Sequence, residues 1–132
     1  MPQKQAHTPE RWRDYKGPYS IALTCGDLIV VSGQGPLDPK TKKIVGSDIR
    51  EQARVTLDNV RNALSAAGAT MDDCVKIGVF LADIKDFEAF NEVYRTYFKD
   101  PLPCRTCVEC KLWSGMLVEI DAWAVRGAGG KG

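Results

Sequence analysis

The chain has 132 residues, enough for one compact domain with a true core. Its 18 basic and 17 acidic residues leave a formal charge of +1, which gives no general attraction to nucleic acid or to anionic membrane. No apolar run reaches the length of a membrane span, and Met1 to Lys16 hold no hydrophobic signal core, so a cytoplasmic protein is expected. Residues 1–16 read as a floppy or loosely docked N-terminal extension, 17–126 as the one domain and 127–132 as a Gly-rich tail.

In chain order, Ser20 to Cys25 and Leu28 to Ser32 are two apolar runs around Gly26-Asp27, the pattern of a tight hairpin. Gly33 to Lys43 carries prolines, glycines and lysines and reads as a loop, after which Ile44-Val45 has room for a short strand. Asp48 opens a helix as N-cap, with Glu51 three residues on. Ile49, Ala53, Leu57, Val60, Leu64 and Ala67 form one buried stripe, and Gly68 ends the helix. Val75, Ile77, Val79 and Leu81 alternate as in a strand. A second helix begins near Asp83 to Asp86, carries Phe87, Phe90, Tyr94 and Tyr97 on one side, and stops before Pro101 and Pro103. Two last strands follow, Arg105 to Lys111 and Leu117 to Val125, joined around Ser114-Gly115. This order predicts an α+β domain, a mixed sheet with two helices on one face. The other face keeps Phe80 and Trp123, apolar surface of the kind that other subunits cover.

The last two strands hold the most chemistry. Read as a hairpin, they bring Arg105, Cys107 and Asp121 together. Two readings follow. Arg105 and Asp121 form a cross-strand ion pair, or Arg105 grips a substrate carboxylate bidentately while Asp121 holds a water and moves protons. Cys104, Cys107 and Cys110 have metal-ligand spacing, but a three-residue step on a strand turns neighbours to opposite faces, so no metal is expected. The five cysteines, with Cys25 and Cys74, are odd in number and are expected as reduced thiols. His7, the single histidine, rules out a mechanism that needs two. The aromatic side of the second helix reads as core, with Asn91 as a polar residue beside Phe90 and Tyr94.

Several motifs, in order, resemble one known family: Gly17-Pro18-Tyr19, Val31 to Pro36, Gln52-Ala53 with Leu57 to Val60, Ala66 to Gly68, Phe87-x-x-Phe90-Asn91-x-x-Tyr94, Pro103 to Glu109, and Glu119 to Ala122. From Gly17 to Arg126 the chain is similar to the RidA family of reactive-intermediate deaminases, formerly YjgF, also labelled endoribonuclease L-PSP or translation inhibitor. The resemblance implies a chorismate-mutase-like fold of the bacillus type, a homotrimer around a central barrel, and sites between subunits. It implies hydrolysis of 2-imino acids, formed from enamines, to 2-oxo acids and ammonia, with no cofactor. On the same ground Arg105 binds the substrate carboxylate, Cys107 lines the site, and Tyr19, Ser32 and Asn91 help form the pocket. The family's water-holding acid, usually Glu, falls on Asp121, one methylene shorter. Cys104 and Thr106 depart from the usual Ala or Pro and Ser, and the stretch with Trp12 is longer than in many members. Two other readings stand beside the deaminase: a non-catalytic trimer that binds a small carboxylate or a partner protein, and a ribonuclease or translation inhibitor, which needs a basic track that the composition does not advertise.

Overall fold

The longest element follows directly from its sequence. Helix α1 spans Ile49–Ala66. Asp48 sits before it in extended conformation, and its carboxylate accepts the Glu51 N–H at 2.9 Å. Ala53, Leu57, Val60 and Leu64 are fully buried along one stripe. At the far end Gly68 takes φ +82°. Its N–H donates to the Ser65 carbonyl and that of Ala69 to the Leu64 carbonyl, a Schellman closure.

The computed structural model describes residues 1–130, so the last two residues of the Gly-rich tail lie outside the described residues. The remaining elements are strands β1 (Lys4–His7), β2 (Ala22–Cys25), β3 (Leu28–Gln34), β4 (Cys74–Leu81), β5 (Cys104–Glu109) and β6 (Val118–Val125), helix α2 (Phe87–Tyr94), and three short 3-10 turns. They form one mixed sheet in the order β1-β2-β3-β6-β4-β5. Among the described residues only β4 and β5 run parallel. The fold is α+β, as the element order implies. Ile29, Val31, Ile77, Val79, Ile120, Ala122 and Ala124 point from the sheet into the core under the helices, each at most 1% exposed. Among the described residues the opposite face carries no helix. Leu28, Val30, Phe80, Glu119, Asp121, Trp123 and Val125 lie there, half-buried or exposed.

Three expectations need correction. The N-terminal stretch is not loosely docked: Lys4–His7 pairs antiparallel with β2, and His7 Nε2 lies 2.9 Å from Thr24 Oγ1. Just after it, the Lys42 ammonium stands 3.9 Å over the Trp12 ring. Ile44 makes a single bridge to Leu37 rather than a strand. Most consequentially, β5 and β6 are not a hairpin. Chain β5 lies at the sheet edge beside β4, while β6 crosses past β4 to insert between β3 and β4. The physical reason is burial. Val118, Ile120, Ala122 and Ala124 of β6 are all fully buried, which suits a central strand, whereas β5 has no buried residue and suits an edge. Helix α2 supplies the crossover that a parallel β4–β5 pair requires.

The crossing loop is tied down by Gln52, a polar residue on α1 that is 1% exposed. Its Nε2 donates to the carbonyls of Gly46 and Gly115, and its Oε1 accepts the Leu117 N–H at 2.7 Å. Truncation strands three backbone groups at once. Gln52→Ala is therefore expected to lose about 2–4 kcal/mol of stability in urea unfolding. A loss under about 1 kcal/mol would show that solvent satisfies those groups.

Candidate active site

Strand β5 turns alternate residues to the helix side. Its register sets Arg105 beside Ile77 and Cys107 beside Val79, both core-facing positions of β4. Arg105 therefore lies against α2. Its Nη1 donates to Asn91 Oδ1 at 2.8 Å. Its guanidinium carbon sits 4.7 Å from the Tyr94 ring centre, 5.6 Å from Phe87 and 5.9 Å from Phe90. The aromatic side of α2 is thus core, with Phe90 fully buried, and also the bed on which a cation rests. Among the described residues Arg105 forms no ion pair. Its remaining donors are free for a ligand. Burial lifts the Cys107 thiol above its ordinary value, opposed by the Arg105 charge, a balance that favours the neutral thiol over the thiolate. Cys104 and Cys107, three apart, fall on opposite faces of β5. Among the described residues no group of three or more His, Cys, Asp or Glu is placed to hold a metal ion.

Asp121 lies on the other face of the sheet. It pairs with Gly78, whose neighbours Ile77 and Val79 point toward the helices. The expected Arg105–Asp121 meeting within one chain is therefore corrected: the sheet itself stands between them. Asp121 packs on Gly78, where a methyl group would collide with its carboxylate, and its Oδ1 is buried without a hydrogen-bond partner among the described residues. Glu119 occupies the same face two residues earlier. It packs on Gly33 at the irregularity between Val31 and Gln34, where β3 slips register against β6. Ser32, beside that glycine, donates to the Ser20 carbonyl at 2.6 Å, and Tyr19 precedes it with 56% of its surface exposed.

The predicted residues thus fall into two groups. Arg105, Cys107 and Asn91 come together at the β5 edge. Ser32 and Tyr19 lie near β3, three strand spacings or roughly 14 Å away, in the neighbourhood of Glu119. Glu119, not among the residues expected at the site, is the acid that packs on Gly33 beside Ser32. The signal for it was the Ser32-Gly33-Gln34 motif, where a glycine leaves room for the longer acid.

The family model for Endoribonuclease L-PSP matches residues 13–126. The chain belongs to the RidA (YjgF, L-PSP) family. A RutC family protein of Saccharolobus solfataricus is 48% identical over 111 residues, 83% of this chain and 88% of its own. The Escherichia coli protein named "Putative reactive intermediate deaminase TdcF" is 39% identical over 116 residues, covering 85% of this chain and 89% of its own. Its crystal structure with bound serine matches at 36% identity and a TM-score of 0.78, over 85% and 91% of the two chains. YyfA of Yersinia pestis, from the conserved Rid protein family, matches at 35% identity and a TM-score of 0.87, over 93% and 99%. These RidA-family structures share the mixed sheet and its two helices.

The two carboxyls on the open face have a stability signature. Burial raises Glu119 above its ordinary 4.5, and the charge of Asp121 raises it further. Burial also raises Asp121 above 3.8, opposed by the backbone N–H of Gly78, by its own N–H and by Lys76. The folded state thus holds protons that the unfolded chain has already released. Stability falls as pH rises from these ordinary values through the raised ones, and stays lower above them. Asp121→Asn removes this penalty. It is expected to resist urea better than the parent at neutral pH, with the gap closing as pH falls to the ordinary 3.8. A gap that is the same at both ends would assign the gain to something other than ionisation.

Proposed function

We propose that the chain hydrolyses reactive 2-imino acids to 2-oxo acids and ammonia, at sites shared between copies in a homotrimer. The observation that carries this reading is Arg105: a half-buried guanidinium on an aromatic bed, oriented by Asn91 and unpaired with any carboxylate among the described residues. Such a fork suits a small carboxylate, gripped bidentately. The TdcF structure with bound serine, an amino acid with the same carboxylate, supports it.

Arg105 and Cys107 lie on the opposite face of the sheet from Glu119 and Asp121. A neighbouring copy that presents its open face to the β5 edge joins the two halves. Leu28, Val108, Trp123 and Val125 on that face are 37–44% exposed, apolar surface suited to such a contact. In the joined site Arg105 holds the carboxylate and Cys107 walls the substrate, while Tyr19 and Ser32 bound it from the other copy. A carboxylate takes a proton from water as the water oxygen bonds to C2 of the imine, and passes that proton to the nitrogen. It then takes the proton of the new C2 hydroxyl and passes it to the nitrogen as well, the C–N bond breaks as the C=O bond forms, and ammonia leaves with the 2-oxo acid behind. Of the two acids, Glu119 is the longer and stands beside Gly33 next to Ser32; Asp121 acts on it through its charge. The reading requires neither metal nor cofactor. The ribonuclease reading has less support: the lone His7 is engaged at Thr24, and the open face bears acids.

The test is ammonia release from 2-imino acids generated in situ, with sedimentation alongside. Trimers and accelerated release are expected. Glu119→Gln is expected to abolish release, and Asp121→Asn to slow it. If Asp121→Asn abolishes it while Glu119→Gln does not, the acid is Asp121. Arg105→Ala is expected to weaken 2-oxobutanoate binding by about 10- to 100-fold, since charge-assisted hydrogen bonds contribute about 1.5–3 kcal/mol each. Unchanged affinity would remove Arg105 from the site. A stable monomer would sink the shared site, and binding without ammonia release would leave a carboxylate-binding protein.

A further inference from the structure

Trp113 is 79% exposed, more than any other large hydrophobic side chain after Met1 among the described residues. It is exposed without being loose. The Met116 N–H donates to the Trp113 carbonyl at 2.9 Å, closing a turn in which Gly115 takes φ +90°. Gln52 then grips that turn at the Gly115 carbonyl and the Leu117 N–H. An indole held in water by a fixed turn is prepared for a partner.

The turn stands over the open face of the sheet. Trp113, Leu112 and Phe80 wall a cleft of about 360 Å³ that Cys110, Lys111 and Glu119 also line. That volume lies within the range of small-molecule sites. A substrate whose C2 is presented to Glu119 has its own side chain within reach of these walls. Two aromatic faces and a leucine offer stacking and apolar cover to a ring or a long chain. A methyl group would leave most of the wall unfilled.

We infer that Trp113 is a specificity-determining residue, which with Phe80 selects 2-imino acids bearing aromatic or long apolar side chains over those of alanine size. The inference rests on the deaminase reading for its substrate and on the cleft for its selectivity. It needs no role for Trp113 in the chemical step.

Two readouts separate the claims. Calorimetric titration compares 3-phenyl-2-oxopropanoate with 2-oxopropanoate, both stable product-like acids. The parent is expected to bind the phenyl compound roughly tenfold or more tightly. In Trp113→Ala that gap should close, with 2-oxopropanoate affinity and sedimentation unchanged. Equal affinities in the parent, no binding of either acid, or a gap that survives Trp113→Ala would overturn the inference. So would dissociation of Trp113→Ala into monomers, which would make the indole a subunit contact. The second readout is ammonia release from imines formed from phenylalanine, leucine and alanine. No acceleration on any of them, with the calorimetric gap intact and lost in Trp113→Ala, defeats the deaminase reading but leaves the selective cleft. Acceleration that favours the alanine-derived imine in the parent overturns the selectivity alone.

Discussion

The placement of β6 between β3 and β4 is the constraint on which the rest depends. Its Val118, Ile120, Ala122 and Ala124 must be buried, and the small Ala122 and Ala124 let the helical layer sit close. Strict alternation then forces Glu119, Asp121, Trp123 and Val125 onto the face without helices. The acids are therefore not placed by any contact of their own. They are carried to the open face by the burial of their neighbours, and Gly33 and Gly78 leave the room they occupy. The same insertion pushes β5 to the edge, where Arg105 can lie half-buried on α2 and still face outward.

The N-terminal cap of α1, its glycine closure, the β2–β3 turn and the alternation in β4 were all legible in the sequence. Each is set by residues adjacent in the chain: Asp48, Gly68, Gly26-Asp27 and the run Ile77, Val79, Leu81. The order of strands was not legible in the same way. The short link between β5 and β6 looks like a hairpin, yet pairing is decided by which strand most needs two neighbours, and that competition is settled across the whole sheet. The α2 crossover after β4 was the available clue to a parallel β5. Strand β1 escaped notice because Lys4-Gln5-Ala6-His7 has no apolar alternation; as an edge strand with exposed side chains it needs little.

At the site, the meeting of Asn91 with Arg105 depends on the parallel β4-α2-β5 unit and was open to the sequence only through the resemblance, whereas Arg105 and Cys107 on one face of β5 were legible from alternation alone. The choice between Glu119 and Asp121 was not, since both share a face and differ only in what lies across from them. Gly33 at the slipped register faces one, Gly78 within the regular ladder faces the other.

Separating the cation from the acids has a chemical consequence. Were Arg105 and Asp121 cross-strand neighbours, the guanidinium would be neutralised and the carboxyl held ionised by it, leaving neither free for a ligand. On opposite faces, Arg105 keeps its donors, and Glu119 and Asp121 keep carboxyls raised by burial. A raised carboxyl is the better proton carrier near neutral pH, because it both accepts and returns a proton readily. In the proposed assembly, the substrate itself comes between the two halves, its carboxylate on the guanidinium of one copy and its C2 toward the acid of the next. The charges are then spent on the ligand rather than on each other, since within each copy the sheet holds them on opposite faces.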